Sequence, residues 1–301
     1  MKKKIILVIF ILLLLIAGVS FWWWQNQPRL TQLTFGVGEN FSPRFSPDGE
    51  EIVFISNRNN NNEIWMMRHD GSNQRQLTFN NNINDFPSFS PNGQEIIFSS
   101  KKAGDQSLDW NIWVMNRDGS NQRQLTFNEG LEALPSFSPD GNQIVFVSSK
   151  TKMAEIWIMN RDGSNQRQLT FEGAGGLPFF SPNGQEIIFS SRRTGNWDIW
   201  IMNHDGSNQR QLTFDQNDNS FSSFSPNGKK IIFESNKGDI DKEDIISFKH
   251  IWIMNSDGSN QEQLTFGKNI DIDPSFNPNG KEIVFASNRN GESNIWLLEL
   301  K

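Results

Sequence analysis

The hydrophobic residues of this chain fall into short runs that recur in a fixed order from about residue 30 to the end. One run, Gln94 to Ser99, is rich in β-branched and aromatic residues and follows a Pro-Asn-Gly turn signal. Another, Asn111 to Met115, comes after a polar stretch and is followed by Asp118-Gly119. Apolar runs of this length, bounded by Gly, Pro and Asn, indicate strands joined by tight turns. The pattern therefore predicts an all-β chain of antiparallel hairpins.

Six copies of one repeat contain these runs. Each copy has a Phe-Ser/Asn-Pro-Asp/Asn-Gly segment, an Ile-Trp pair and a Gln-Leu-Thr-Phe segment, enough for four short strands. Such repeats predict a six-bladed β-propeller. The chain opens with a lone Gln-Leu-Thr-Phe and closes on an Ile-Trp pair that has none after it. We therefore expect the N-terminal strand, residues 30–35, to pair with Ile295-Trp296 and complete the last blade, because this leaves no unpaired sheet edge.

The length of the repeat varies on one side of the predicted ring. The Phe residues of the first and second strands are nine residues apart in all six copies, as from Phe45 to Phe54. The second-strand Phe and third-strand Trp are 11 residues apart in four copies, 15 in the second and 19 in the fifth. Because antiparallel strands alternate in direction, the variable connections share one face (the varied face), opposite the constant face. Insertions that share one face often mark a binding face.

The first 24 residues form a separate segment. Lys2, Lys3 and Lys4 precede an apolar stretch of 20 residues from Ile5 to Trp24. A helix of that length spans about 30 Å, which is enough to cross a bilayer. The sequence predicts a signal-anchor or transmembrane helix at residues 1–24, and the lysines should stay cytoplasmic.

A short linker at residues 25–29 would then lead to the propeller at residues 30–301. The alternative is a cleaved signal peptide with Gly18-Val19-Ser20 as its cleavage site, in which case the propeller would be secreted. Both interpretations put the propeller outside the cytoplasm, periplasmic or extracellular.

Composition removes several chemistries. The chain has no Cys, so disulfides, thiolate metal sites and a Cys nucleophile are unavailable. Its net charge is −6, and no basic stripe with interleaved aromatic residues occurs. These features argue against a nucleic-acid partner.

The repeats resemble a known family. Residues 45–72 run Phe-Ser-Pro-Asp-Gly, then Ile-Val-Phe-Ile-Ser-Asn-Arg, then Glu-Ile-Trp-Met-Met and Asp-Gly-Ser. This is similar to the WD40-like Pro-Asp (PD40) repeat of TolB-like six-bladed propellers, and the resemblance covers about 270 residues. It implies a propeller whose mouth receives a partner segment or a cation. Such propellers include the periplasmic partner of the Tol–Pal envelope system, non-catalytic domains that gate peptidases, and some polysaccharide lyases.

The varied face should carry an acidic mouth, since acidic and amide residues stand just ahead of the first strands. A concave acidic surface concentrates cationic peptide or divalent metal, although polar loops are also often merely solvated. Trp110 and the inserted loop of the fifth repeat would add apolar contacts. The predicted partner-binding residues are Asp85, Glu132, Asp218, Asp271, Asp273, Trp110, Ile245 and Phe248.

The same inserted loop has alternating carboxylates at Asp239, Asp241 and Glu243. Carboxylates at every second residue suit Ca²⁺, but Asp244 stands where an EF-hand loop needs Gly. A solvated charged loop is therefore the favoured interpretation, and no other metal or cofactor is predicted.

Catalytic motifs are missing from the sequence. His69 and His204 occupy one hairpin position of the repeat, away from His250, and no Gly-x-Ser-x-Gly segment occurs. We therefore predict no enzyme and no catalytic residues. The prediction is a membrane-anchored extracytoplasmic scaffold that binds an envelope protein or peptide segment, as in Tol–Pal-type envelope integrity or transport. The alternatives are a metal-dependent polysaccharide lyase or other glycan-processing enzyme, and a purely structural envelope component.

Overall fold

The protein is described by a computed structural model that covers residues 29–36, 38–80, 82–104, 107, 109–173, 175–238 and 248–300. Within these residues the chain forms 24 strands in six four-stranded antiparallel sheets. Each sheet is one blade, and its strands pair in chain order from the inner strand to the outer one. The predicted six-bladed β-propeller is thus confirmed.

The strand bounds follow the repeat closely, with six-residue inner and middle strands in most blades and a two-residue outer strand in blades 1 to 5. Blade 1 contains β2 (Asn40–Phe45), β3 (Glu51–Ser56), β4 (Glu63–Arg68) and β5 (Arg75–Gln76). Blade 2 contains β6 (Asn82–Phe89), β7 (Glu95–Lys102), β8 (Asn111–Asn116) and β9 (Arg123–Gln124). Blade 3 contains β10 (Glu132–Phe137), β11 (Gln143–Ser148), β12 (Glu155–Asn160) and β13 (Arg167–Gln168).

The second half of the ring repeats this arrangement. Blade 4 contains β14 (Gly176–Phe180), β15 (Glu186–Ser191), β16 (Asp198–Asn203) and β17 (Arg210–Gln211). Blade 5 contains β18 (Asn219–Phe224), β19 (Lys230–Ser235), β20 (His250–Asn255) and β21 (Glu262–Gln263). Blade 6 contains β22 (Asp271–Phe276), β23 (Glu282–Ser287), β24 (Asn294–Glu299) and, as its outer strand, β1 (Arg29–Gln32).

The ring is closed by the N-terminal strand. β1 pairs antiparallel with β24 from Arg29 opposite Glu299 to Gln32 opposite Trp296. The expected closure is therefore present, but the strand ends at Gln32, three residues before the predicted end. The ladder stops there because the Thr34 hydroxyl, instead of a backbone carbonyl, accepts the Ile295 N–H at 2.8 Å.

This side-chain bond is repeated in every blade. The threonine of each Gln-Leu-Thr-Phe segment is at most 1% exposed, and its hydroxyl accepts the N–H of the isoleucine before the third-strand Trp at 2.8–3.0 Å. A buried N–H needs such a partner, because leaving it unsatisfied costs about 1–3 kcal/mol. The six acceptors are Thr34, Thr78, Thr126, Thr170, Thr213 and Thr265.

The core lies between the blades. The largest fully buried side chains include one phenylalanine per blade, in the second strand: Phe54, Phe98, Phe146, Phe189, Phe233 and Phe285. Each hydrophobic cluster takes residues from two adjacent blades, as where Val145 and Ile158 of blade 3 meet Phe189 of blade 4. No blade buries its faces alone, so the ring behaves as one packed body.

The anchor prediction at residues 1–24 falls outside the described residues. Within the described part of the chain, no helix is long and apolar enough to cross a membrane.

The repeated threonine bond yields a stability prediction. Thr126→Val keeps the shape of the side chain but removes the acceptor of the Ile112 N–H, which lies 2.9 Å from it. We expect a loss of about 1–3 kcal/mol in the free energy of unfolding, measured by chemical denaturation. Thr126→Ser, which keeps the hydroxyl, should lose clearly less; equal losses in both variants would contradict this account.

Candidate binding site in the central channel

The inner strand of every blade is kinked at the same position. The pairing of the first and second strands shifts register there, as between Phe41 and Arg44 in blade 1, and one residue takes a positive φ of 48–58°. Such a φ is rare for residues other than glycine, above all for bulky ones, and a bulge re-aims the side chain it carries. The six residues at this position are Ser42, Phe86, Leu134, Leu177, Phe221 and Asp273.

Two pairs of these kinked segments meet across the channel. Blades 2 and 5 are opposite in a ring of six, and the rings of Phe86 and Phe221 lie 6.1 Å apart between their centroids. Blades 1 and 4 are also opposite, and the Arg44 guanidinium carbon lies 5.2 Å from the centroid of Phe179. The channel is therefore divided into an upper cup on the varied face and a lower cup on the constant face.

The upper cup has a volume of about 360 Å³. Phe86 and Phe221 contribute to its floor, and Phe41 and Ile272 add apolar wall. Its polar lining consists of Glu39, Ser42, Asp85, Glu234, Lys249, Asp273 and Ser293. The cup combines a rigid aromatic surface with several carboxylates, as ligand sites commonly do.

Two of the three inner carboxylates are held by neighbours. Glu234 accepts from Lys249 Nζ at 2.6 Å and from the Ser220 hydroxyl at 2.7 Å. Asp273 accepts the backbone N–H of Ser42 at 2.9 Å and its hydroxyl at 3.2 Å. Burial nevertheless raises the pKa of both carboxyl groups, because the charged form loses hydration.

Asp85 has weaker support. Its carboxylate accepts the N–H of Phe86 at 2.8 Å and the Ser42 hydroxyl at 3.5 Å, and the described residues offer it no ion-pair partner. Burial, reinforced by the negative charge of Asp273, raises the pKa of Asp85 to about 7. A cation that enters the cup would find in Asp85 a carboxyl group without an ion-pair partner among the described residues, because Lys249 of the same cup is paired with Glu234.

The other predicted acidic contacts lie elsewhere. Glu132 and Asp271 are 0% exposed. Glu132 accepts from the Ser148 hydroxyl at 2.8 Å, and Asp271 accepts from Arg289 at 2.8 Å beside buried His250. Asp218 is half-buried and accepts the Trp197 N–H at 3.0 Å. In this structure only Asp85 and Asp273 of the five predicted acids line the cup.

The predicted apolar contacts also lie outside the cup lining. Trp110 is half-buried, with Lys101 Nζ 5.4 Å from its ring centroid, and its carbonyl accepts the Glu132 N–H at 2.9 Å. Phe248 is half-buried next to Lys249. Ile245 and the suggested calcium ligands Asp239, Asp241 and Glu243 fall outside the described residues, so their roles stay predictions.

Sequence reasoning missed the residues that close the channel. Phe86 and Phe221 occupy positions that differ from blade to blade, and the bulge that turns them inward leaves no mark in an alternating pattern. The available signal was proline: five of the six kinked residues are followed by it, at Pro43, Pro87, Pro135, Pro178 and Pro274. Proline lacks the N–H that a regular ladder needs, so it is confined to irregular or edge positions.

Comparison with known proteins places the chain in a family. The model for the TolB beta propeller domain (PD40) matches residues 29–108 and 87–247. The chain belongs to the TolB β-propeller family.

Individual relatives match less of the chain or less closely. The Tol-Pal system protein TolB of Wolbachia pipientis subsp. Culex pipiens is 49% identical over 55 residues, which are 18% of this chain and 13% of that protein. A structure assigned to TolB in Agrobacterium tumefaciens has a TM-score of 0.71 at 22% identity, covering 92% of this chain and all of that one. Oligogalacturonate lyase from Vibrio parahaemolyticus has a TM-score of 0.62 at 13% identity, covering 92% and 94%. These two likenesses establish the fold alone.

The raised pKa of Asp85 yields a pH prediction. Because its folded pKa of about 7 exceeds the 3.8 of an unburied aspartate, the folded state holds the proton to higher pH than the unfolded state does, and stability falls as pH rises between these values. Asp85→Asn removes this penalty. The variant should gain roughly 1–3 kcal/mol relative to wild type between pH 4.5 and pH 8, measured as unfolding free energy against pH.

Asp118 provides a control of opposite sign. Hydrogen bonds from Ser120 lower the pKa of this exposed carboxyl, so it stabilises the fold above the unfolded pKa and loses that effect as pH falls. Asp118→Asn should therefore not become relatively more stable at high pH. If Asp85→Asn shows the same offset at every pH, its carboxyl is not perturbed as described.

Proposed function

We propose that this propeller is a non-catalytic binding scaffold whose upper cup receives a segment of an envelope protein. The observation that carries the proposal is the cup itself: Phe86 and Phe221 close its base, and Asp85 lies beside them without an ion-pair partner among the described residues. A rigid aromatic floor anchors a side chain at little entropic cost. The carboxylates favour a segment that carries positive charge.

The setting of the scaffold is part of the same proposal. The membrane anchor predicted at residues 1–24 would hold the propeller outside the cytoplasm, and the match to a Tol-Pal system protein supports a periplasmic envelope role. β1 begins at Arg29 opposite Glu299, and Leu300 bonds the Lys281 carbonyl in a constant-face turn. The propeller therefore begins on its constant face. An anchor that precedes it would hold this face toward the bilayer, and the upper cup would face away from the membrane.

Catalysis is the second candidate, motivated by the shared fold with oligogalacturonate lyase. The residues favour it less. His69 bonds Glu282 at 3.0 Å and His204 bonds Gln143 at 2.7 Å, both in contacts between blades. Among the residues that the structure describes, no three His, Asp or Glu side chains are grouped to hold a metal ion. One fold hosts many activities, so the site decides.

The binding proposal is tested by charge reversal in the cup. The full chain in detergent, immobilised, is exposed to solubilised envelope extract, and retained proteins are identified and quantified. Asp85→Lys should reduce capture of a specific partner at least about tenfold, because it replaces a carboxyl group by a cation in a cup that already contains Lys249. Higher salt should weaken capture by wild type.

Asp118→Lys makes the same charge change on an exposed hairpin of the constant face and serves as the matched control. If both variants capture the partner equally well, the upper cup is not the binding site. If the purified chain instead cleaves oligogalacturonate, and both variants keep that activity, the result would support the catalytic candidate.

A further inference from the structure

On the constant face, one position of the repeat carries the side chain that contacts the preceding blade at four of the six interfaces. It follows the third strand by one residue, and its backbone N–H bonds the turn of its own blade in each case. Its side chain reaches the preceding blade at the start of the second strand. The residues at this position in blades 1 to 6 are His69, Arg117, Arg161, His204, Ser256 and Leu300.

The two arginines show what this contact requires. Arg117 of blade 2 bonds Glu51 and Asp48 of blade 1, each at 2.9 Å, and its guanidinium carbon lies 5.6 Å from the centroid of Phe89. A Cβ added to Gly93 would lie 3.2 Å from Arg117 Nη1, so this glycine leaves room for the guanidinium. Carboxylate, aromatic face and bare backbone together form a guanidinium site.

The neighbouring interface repeats the arrangement. Arg161 of blade 3 bonds Glu95 of blade 2, and its guanidinium carbon lies 5.7 Å from the centroid of Phe137. Gly141 lies under Arg161 Nη1 as Gly93 lies under Arg117. His69 and His204 also pack against their own blade's phenylalanine, with ring centroids 5.8 Å apart in both cases.

Between blades 4 and 5 the pattern is complete except for the arginine. Ser256 is too short to reach Glu186, and a cavity of about 370 Å³ opens there (the blade 4–5 notch, lined by Glu186, Phe224, Gly228, Asn183, Arg210 and Ser256). The Glu186 side chain is 37% exposed, whereas Glu51, Glu95 and Glu282 at filled interfaces are 17–22% exposed. Phe224 is half-exposed, whereas its five counterparts are buried.

The remaining interface does not offer the same site. Between blades 5 and 6 the acidic residue is replaced by Lys230, which bonds Asn255 at 2.8 Å, and the projecting residue is Leu300. As far as the described residues go, only the blade 4–5 notch therefore has the acid, the phenylalanine and the glycine in place without an arginine or histidine projecting onto them from the following blade.

We propose that the blade 4–5 notch binds an arginine side chain of a partner protein. Its guanidinium stacks on Phe224 and pairs with Glu186, as Arg161 does with Phe137 and Glu95. Asn183 stands in the notch where the Arg161 site has Asn92.

Arg210 lies 3.8 Å from Glu186 but does not fill the notch. Its counterparts in blades 1 and 2, Arg75 and Arg123, also pair with the acid of their own blade. Each of those acids still binds the guanidinium of the following blade as well. The site is on the constant face, so it is independent of the upper cup.

The test uses N-acetyl-arginine amide as the probe, titrated into the perdeuterated full chain in detergent. Binding is followed by the amide NMR shifts of Gly228 and Ser256. We expect saturable binding, at least about tenfold tighter than that of the uncharged isostere N-acetyl-citrulline amide. Glu186→Gln should weaken arginine binding at least tenfold, whereas Glu95→Gln, at a filled interface, should leave it unchanged.

Ser256→Arg supplies the missing side chain from within the protein. It should abolish probe binding and raise Tm by about 1–3 °C, because it restores the contact between blades 4 and 5. Unsaturable shifts in the wild type, or equal probe affinity in wild type and Ser256→Arg, would overturn the proposal. Should Ser256→Arg fold poorly, Glu186→Gln still decides the matter.

Discussion

The structure depends on packing between blades, which only a closed ring can complete. Each blade is a twisted four-stranded sheet with apolar residues on both faces, and Phe54 and Phe98 are 0% exposed only because another blade covers them. An open arc would expose two such faces and one strand edge. β1 solves both problems at once: it supplies the outer strand of blade 6 beside β24, and Leu33 joins the cluster that contains Phe54 of blade 1. The first folded residues of the chain therefore hold its last blade against its first.

The repeat explains why most of the fold was predictable. Strand number, blade number, closure and the varied face all follow from residues that every copy must keep, since each copy occupies an equivalent environment. The end of the fourth strand was predicted less well. A Gln-Leu-Thr-Phe segment looks like continuous strand, but the threonine hydroxyl replaces the backbone acceptor, so β5 ends at Gln76 and Phe79 is 74% exposed.

The candidate site was predictable only in part, and the reason lies at two positions of the inner strand that are two residues apart. Glu132 and Asp271 precede their bulge by two residues and stay inside the sheet, where Ser148 and Arg289 each donate to one oxygen of the carboxylate. Asp273 sits at the bulge itself and turns toward the channel. A shift of two residues thus separates an acid held inside the sheet from a buried acid that lines the cup. Charge alone cannot distinguish these positions, because bulge geometry is set by backbone pairing.

The residues that differ between the six repeats give this ring contacts that a perfectly repeated propeller would lack. A perfectly repeated propeller would have six identical side chains around its axis and six identical contacts between blades. Here opposed blades place Phe86 against Phe221 and Arg44 against Phe179, so the channel is closed by contacts that sixfold symmetry would not produce. The Arg44 guanidinium stays in place because Nη1 donates to the carbonyls of Pro43 and Asp273.

The closure of the channel by Phe86 and Phe221 links the ionisation of Asp85 to the binding of a cation. Asp85, Glu234 and Asp273 lie beside the aromatic floor, where burial raises their pKa values. A poorly hydrated carboxylate favours a proton or a cation over ionisation alone. A positive group that enters the upper cup would lower the pKa of Asp85 and displace its proton. Affinity for a cationic segment should therefore rise as pH approaches and passes the pKa of that carboxyl, and the repeat-breaking residues at the axis are the cause.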